Sequence, residues 1–453
     1  MRSSARRTAC SAGGALALAL LVGCGSGGES ETKGVEDATL AAPAAPSPPE
    51  EPPASAAPSA APEDTPATSE AGPRADRLAA LASGPGEPLR GPALEALYDV
   101  IQREAGKPGN AWALAHGVLA MGPEFEATDG RRAVHVIVDD FLKAEKVDQH
   151  KGLQPYFPNR TAEGLPLEPH TDLILKTFLE VGLPLDEALT PKEGAPTLER
   201  LFRGSRVRYE PLAGEGKDGF PKPDDVAWSI QAWCQGVQAG AASTWQAAGL
   251  KQADLGAVTE QQLELLESAT WFMRQAMEKG ETVQKRRQGI FAYTCGGAHL
   301  HQSVVACAAA GWPKDKNVEE RLALLNQIYV WRIPLETSLV EQAMKQAPKL
   351  APLLYNQDVK FLGHALESLG KAERDGLWTP APEARALLDD AEARLVAHVQ
   401  QMNRLGIFRE DKLANWMQND DTRQFYLDVV GDAAHAWHAL EIQAALRKKR
   451  TGG

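Results

Sequence analysis

Three polar side chains share one stripe of a predicted helix near the end of the chain. Asp428, Asp432 and His435 stand at positions i, i+4 and i+7 of an otherwise mostly apolar segment. Burying two carboxylates and an imidazole costs free energy unless each group finds a partner. Apolar surroundings and like charge separate the pKa values of neighbouring carboxyl groups, as a general acid and a general base require. The pattern predicts all three as catalytic residues, with hydrogen bonds to neighbouring helices as the structural alternative.

A second polar group lies within residues 288–311, QGIFAYTCGGAHLHQSVVACAAAG. Cys295 and His299 are four residues apart, so a helix would place them on one stripe. This spacing can hold zinc from one face, and it can also join a thiolate nucleophile to its base. Two ligands do not complete a metal site. We therefore assign no metal ligands, and the cofactor stays unknown with zinc left open.

Both groups belong to a pattern in which glycine is followed four residues later by His or Glu. It occurs at Gly297–His301, Gly363–Glu367 and Gly431–His435, and a nearly constant interval of this kind indicates a repeated structural unit. If the helices carrying these glycines line a cavity, their polar residues meet there. The predicted cavity and binding residues are Cys295, His299, His301 and Glu367, and the wider candidate set adds His116, Cys234 and His364.

The predicted helices that must position these residues are of two alternating kinds. Charged, amphipathic helices are predicted at 91–106, 130–146, 197–208, 259–279, 317–347 and 382–404. Apolar, glycine-bearing helices are predicted at 110–122, 171–183, 224–240, 289–311, 352–370 and 422–445. An amphipathic helix turns one face to water, whereas a helix that is apolar almost all round belongs inside. The fold class is therefore all-α, and six outer–inner pairs resemble an (α/α)6 toroid-like barrel; an open solenoid of helical hairpins is the alternative.

Short motifs resemble those of lanthionine cyclases, which are α/α toroids with a zinc site. Ala115-His116-Gly117, Trp233-Cys234-Gln235-Gly236 and Cys295-Gly296-Gly297-Ala298-His299 follow the order of that family's His-Gly, Trp-Cys-x-Gly and Cys-His-Gly motifs. The resemblance implies the toroid and would make Cys234 and Cys295 zinc ligands, although Gly296 replaces the family's ligand histidine. Asp375-Gly376-Leu377-Trp378 resembles the Asp-Gly-x-Trp turn of terpenoid-cyclase-type toroids, which implies architecture alone.

The chain opens on a predicted targeting segment. Arg2, Arg6 and Arg7 precede the apolar run Gly13–Leu21, which is too short to remain as a membrane-spanning helix. Leu21-Val22-Gly23-Cys24 resembles the lipobox of bacterial lipoproteins, a family in which the signal is cleaved before a cysteine that then carries lipid. We expect a signal peptide at 1–23 and lipidation at Cys24; an ordinary signal peptide cut nearby is the alternative.

Composition divides the rest of the chain and limits its function. Residues 24–75 are rich in Pro, Ala and Glu and have almost nothing to bury, so they are predicted to form a disordered tether before a domain at 76–453. The formal charge of −12, from 60 acidic and 48 basic residues, argues against a nucleic-acid partner. Past Cys24 only three cysteines remain, enough for one disulfide in an envelope protein.

These features predict a bacterial envelope lipoprotein, anchored to a membrane through lipid, with a toroid-like helical domain. A binding or scaffold role is the first functional hypothesis, because no complete catalytic motif is present. The alternative is an envelope enzyme that acts on a glycan or peptide in the toroid cavity with a carboxylate pair. The expected partners are the membrane and a glycan or peptide ligand.

The substitution Cys24→Ser tests the predicted lipid anchor. Serine keeps the size of the side chain but cannot take the thioether-linked lipid, so we expect the variant to leave the membrane fraction after cell lysis. Fractionation of wild type and variant, followed by immunoblotting, is the measurement. Continued membrane association of the variant would contradict the lipobox interpretation.

Overall fold

The computed structural model describes residues 71–162, 164–209, 226–285, 288–314 and 317–452. The predicted signal peptide, Cys24 and the predicted tether up to residue 70 lie outside these residues. Helical structure begins at Ala71, earlier than the domain start predicted at residue 76. None of the helices described combines the length and the apolar composition that crossing a membrane requires.

The described residues form fourteen α-helices and two small antiparallel hairpins, which confirms the all-α prediction. The first seven helices are α1 Ala71–Leu81, α2 Arg90–Val100, α3 Ala111–Met121, α4 Ala133–Phe141, α5 Leu173–Glu180, α6 Leu198–Arg208 and α7 Ala227–Gln238. The other seven are α8 Leu255–Lys279, α9 Ala298–Ala309, α10 Val318–Gln346, α11 Ala351–Arg374, α12 Pro382–Arg404, α13 Glu410–Gln418 and α14 Asp420–Arg450. The strands are β1 Lys143–Lys146, β2 Leu153–Tyr156, β3 Thr244–Gln246 and β4 Gln252–Asp254.

Six apolar helices contact one another in succession. Helix α3 contacts α5, α5 contacts α7, α7 contacts α9, α9 contacts α11, α11 contacts α14, and α14 contacts α3. The charged helices pack against this set from other sides: α12 contacts both α2 and α11, and α10 contacts α8 and α12. Because an amphipathic helix has only one apolar face to bury, this arrangement follows from the two kinds of helix that the sequence contains.

Gly363 permits a close approach between the backbones of two of these helices. A Cβ atom at this position would lie 3.2 Å from the backbone nitrogen of Ala436, so the backbones of α11 and α14 are nearly in contact there. A Cβ atom there would require a shift of a few tenths of an ångström between the two helices. The contact between α11 and α14 is also the most extensive between any two elements of the described chain.

The helix predicted at 289–311 begins only at Ala298. Cys295, Gly296 and Gly297 have φ angles of +50°, +61° and +78°, which no right-handed helix can accommodate. The three residues instead form a left-handed turn that leads into α9. Cys295 and His299 are therefore brought together by this turn and not by a shared helical stripe.

Two further predictions need correction. The helix predicted at 130–146 ends at Phe141, because Lys143–Lys146 pairs with Leu153–Tyr156 as a β-hairpin. A disulfide joins Cys234 on α7 to Cys307 on α9, two helices that are neighbours in space but 73 residues apart in sequence. Cys234 is therefore not available as the zinc ligand that the lanthionine-cyclase resemblance implies.

Candidate functional site

One cavity is lined by side chains from all six of the apolar helices that contact one another in succession. We call it the six-helix cavity. Its empty volume is about 670 Å³, including open space at the mouth. Five imidazoles line it, those of His116, His170, His299, His364 and His435. The chain contains ten histidines, so half of them meet at this one place.

Five of the seven site residues predicted from sequence line this cavity. They are Cys295, His299, Asp428, Asp432 and His435. The cysteine–histidine pair and the aspartate pair are more than 120 residues apart in sequence, so it is the folding of α9 and α14 that brings them together. The other two predicted residues, His301 and Glu367, do not contribute to the lining.

His301 is a packing residue on the other side of α9. Its Nε2 donates to Asn326 Oδ1 at 2.9 Å, and its Nδ1 accepts from the Ser368 hydroxyl at 2.5 Å. The ring stacks on Tyr329 with 3.9 Å between centroids. Burial lowers the pKa of His301 to about 3, so the ring is neutral and both its nitrogens are used within the protein. The predicted cavity role of His301 is wrong, because a residue two positions from His299 faces away from it.

Glu367 lies beneath the cavity, fully buried, and accepts four hydrogen bonds. Oε2 accepts from His435 Nδ1 at 2.7 Å and from Gln302 Nε2 at 3.0 Å. Oε1 accepts from Lys371 Nζ at 2.6 Å and from His438 Nδ1 at 3.0 Å. Burial alone would raise the pKa of Glu367, but Lys371 and His435 hold it well below its usual value. The carboxylate is thus ionised and supports the cavity from below.

A second ion pair completes this buried network. Lys176 on α5 lies 2.5 Å from Glu180 Oε2, and Lys371 on α11 contacts both Glu180 and Glu367. Two ammonium groups and two carboxylates balance in charge, which makes their common burial tolerable. Burial lowers the pKa of Lys371, but the two glutamates outweigh this effect and raise it overall. We call Lys176, Glu180, Glu367 and Lys371 the buried charge network.

The network fixes the orientation of His435. Because its Nδ1 donates to the Glu367 carboxylate, the neutral ring carries its lone pair on Nε2. His116 is fixed in the same tautomer, since its Nδ1 donates to the Trp112 carbonyl at 2.7 Å. Burial lowers the pKa of both rings, to about 3 for His116. Both imidazoles therefore hold an Nε2 lone pair that can accept a proton or bind a cation.

His299 and His170 are the two cavity histidines with a buried Nδ1 that has no hydrogen-bond partner. His299 is 4% exposed. Its ring lies 4.3 Å from the Trp228 ring and 5.0 Å from the His170 ring, centroid to centroid. Burial holds the pKa of His299 well below its usual value and lowers that of His170 to about 4. A buried nitrogen without a partner costs about 1–3 kcal/mol, which a ligand can offset.

The two predicted catalytic aspartates share one lysine. Lys360 Nζ lies 3.0 Å from Asp428 Oδ2 and 3.8 Å from Asp432 Oδ2. Asp432 Oδ2 also accepts from Asn356 Nδ2 at 2.8 Å. The Lys360 ammonium therefore lies between the two carboxylates and places a donor beside their acceptor oxygens. This geometry suits the binding of a polar ligand.

Sequence reasoning missed four polar residues of the cavity lining, which are Lys360, His170, Thr294 and Gln424. Lys360 belongs to a stripe on α11 at spacings of four and three residues, together with Asn356, His364, Glu367 and Lys371. This polar stripe on an apolar helix is a signal that could have identified Lys360. His170 lies in a proline-containing loop before α5, where no periodic pattern marks it. Only the tertiary structure places it in the cavity.

The zinc ligand set that the lanthionine-cyclase resemblance implies does not fit this protein. Cys234 is bonded to Cys307 and has no thiolate to offer. Gly296 has no side chain with which to replace the expected histidine. Of the implied ligands, Cys295 alone lies in the cavity.

Comparisons with protein-family models, with curated protein sequences and with solved structures find no match to this chain. The function must therefore be argued from the chemistry and geometry of the cavity.

The neutral state of His116 predicts how stability changes with pH. Its pKa is about 3 when folded and about 6.5 when unfolded, so between these values only the unfolded chain binds a proton. The stability that the neutral His116 contributes to the folded state is fully present above pH 6.5. It is lost as pH falls, by up to about 1.4 kcal/mol per pH unit. We expect His116→Phe to lower the slope of the free energy of unfolding against pH by up to about 1.4 kcal/mol per pH unit, measured with denaturant between pH 6.5 and 4.5 in chelator.

The control for this experiment is His150→Gln, which changes a partly buried histidine outside the cavity. This variant should keep the wild-type slope. An unchanged slope in His116→Phe would contradict the assignment of a neutral, buried imidazole.

Proposed function

We propose that this chain is a lipid-anchored protein of the bacterial cell envelope whose helical domain binds a glycan or peptide in the six-helix cavity. One observation carries the proposal: polar side chains from distant parts of the sequence line the same open cavity. Folding alone does not require this convergence, because each buried group could be satisfied locally. A site that combines apolar walls with a few converging polar groups is typical of ligand binding.

An (α/α)6 toroid is the architecture we propose for the domain. In its support, six apolar helices contact one another in succession and the last contacts the first. Each of the six also supplies a side chain to the cavity lining. An open solenoid would leave its first and last repeats without mutual contact.

Two features support the envelope location. The lipobox-like Leu21–Cys24 follows an apolar signal-like segment. The disulfide between Cys234 and Cys307 is the kind of bond that persists outside the reducing cytosol. A lipidated cysteine followed by a tether would hold the helical domain away from a membrane surface.

The lining suits a polar organic ligand with apolar faces. Trp112 and Trp228 offer aromatic surface, and Lys360 with its two aspartates offers both a donor and acceptors. Sugars and peptides combine hydroxyl or amide groups with apolar faces, so they match this mixture. The charge of the Lys360 group, one ammonium against two carboxylates, favours neutral or cationic ligands over anionic ones.

Catalysis is the second candidate, and the Glu367–His435 pair favours it. A carboxylate that holds a neutral imidazole by Nδ1 leaves Nε2 free to take a proton from a hydroxyl or water nucleophile. In this enzyme His435 would be the base, Glu367 the group that orients it, and Lys360 with the aspartates the substrate-holding set. The substrate class would be the same glycan or peptide.

Cys295 provides a reporter for binding, because the mature chain from residue 24 with Cys24→Ser has no other cysteine outside the disulfide. We expect N-acetylhexosamine oligosaccharides or short peptides to slow its alkylation by a maleimide, in protein stripped of metal by chelator. Ligand in the cavity would cover the thiol, and the alkylation rate is the measurement.

Asp432→Asn should abolish this protection while keeping the fold, because the amide oxygen can still accept from Asn356. The matched control is Asp421→Asn, an exposed aspartate on the same helix α14, which should keep the protection. If neither class of probe slows alkylation of the wild-type cavity, the binding proposal fails.

A further inference from the structure

We propose that Cys295, His299 and His364 form a zinc site in the six-helix cavity. One donor atom from each, the cysteine Sγ and one ring nitrogen of each histidine, lies within 4.8 Å of the other two. The inference rests on the proposed function, because it names a metal as a further binding group in the same cavity. It differs from the ligand set that the family resemblance implied, since Cys295 is the only residue common to both.

The three side chains come from three different positions in the fold. Cys295 is held by the left-handed turn before α9, His299 lies in the first turn of α9, and His364 lies on α11. Donor atoms of a tetrahedral zinc site lie roughly 3.3–3.8 Å apart, as bond lengths of 2.0–2.3 Å require. Small rotations about the side-chain bonds would therefore close the site without movement of the backbone.

The protonation state of the histidines suits a metal. Burial holds the pKa of His299 and of His364 well below the usual value, so both rings are neutral and each carries a lone pair. The Nδ1 atom of His299 is buried without a hydrogen-bond partner. Zinc bound by this nitrogen would give it the partner that it lacks. One thiolate with two imidazoles is a ligand set that suits Zn²⁺.

Other groupings of potential ligands near the cavity are less suitable. Glu180, Glu367 and His438 lie close together, and so do His364, Glu367 and His435. Both groups contain Glu367, and Lys176 and Lys371 already neutralise the Glu180 and Glu367 carboxylates. A divalent cation there would have to displace a buried ammonium. The group of Cys295, His299 and His364 includes no carboxylate that holds a buried ammonium, and all three residues line the cavity.

The fourth position of this zinc would point into the cavity. Three protein ligands with one open position are the arrangement that allows a metal to bind an external oxygen. A carbonyl or carboxylate oxygen of a bound glycan or peptide would fill that position. Binding of zinc converts the Cys295 thiol to a thiolate and releases its proton to solvent, whereas the neutral histidines release none.

The test is titration of the metal-stripped, mature Cys24→Ser chain with Zn²⁺ by calorimetry and with Co²⁺ by absorption spectroscopy. We expect one metal per chain, release of about one proton per zinc, and a thiolate-to-cobalt charge-transfer band. Cys295→Ala should lose the band and weaken zinc binding by about 100-fold or more, and His299→Ala and His364→Ala should weaken it similarly. His438→Gln, which alters the competing group, should leave stoichiometry and affinity unchanged.

Alkylation of Cys295 in folded wild-type protein gives a second measurement that requires no variant to fold. The alkylated protein should keep its helical circular-dichroism spectrum and lose the cobalt charge-transfer band. Absence of zinc binding to wild type, or zinc binding that persists undiminished in Cys295→Ala, would overturn the site. If glycan or peptide probes still protect Cys295 in chelator while zinc does not bind, the cavity function stands and the metal site alone is wrong.

Discussion

The carboxylate of Glu367 is the constraint on which the cavity depends. It is completely buried, and its two oxygens accept from Lys371, His435, His438 and Gln302. These donors come from three helices, α9, α11 and α14, so one ionised group fixes the relative position of all three. A buried carboxylate that lost its donors would cost several kcal/mol, and a shift of any of these helices is therefore opposed. Gly363 supports the same geometry, because the absence of a side chain there lets the backbones of α11 and α14 come close together.

The Glu367 carboxylate also links the packing of the helices to the chemistry of the cavity. Through Lys371 it is joined to Glu180 and Lys176 on α5, so the buried charge network reaches the opposite part of the cavity wall. Through His435 Nδ1 it determines which nitrogen of a cavity imidazole is available to a ligand. The cavity histidines His116, His299, His364 and His435 stay neutral chiefly because burial lowers their pKa values. A neutral imidazole can accept a proton or bind a metal, so the proposed ligand binding, catalysis and zinc coordination would all depend on the same neutral histidines.

Helical periodicity predicted the fold better than it predicted the site. Each of the six apolar helices was recognised, because glycine, alanine and leucine with few charges can only be buried. The aspartates and His435 were placed correctly on one stripe, since α14 is continuous from Asp420 to Arg450. Prediction failed where the backbone leaves the helix: the positive φ angles at Cys295–Gly297 and the loop that carries His170 have no periodic signal. Prediction failed also for Glu367. This residue lies beneath the cavity because of the way α11 and α14 face each other, and helical periodicity does not reveal that tertiary arrangement.

The double-mutant cycle of Glu367→Gln and Lys371→Met tests the central claim most directly, with the free energy of unfolding as its readout. If the buried charge network holds the cavity together, each single variant leaves an uncompensated buried charge and should lose about 3–5 kcal/mol. The double variant removes one charge of each sign, so it should be more stable than the sum of the two losses predicts, with a coupling of about 1–3 kcal/mol. Single variants within about 0.5 kcal/mol of wild type, or losses that simply add, would contradict the account.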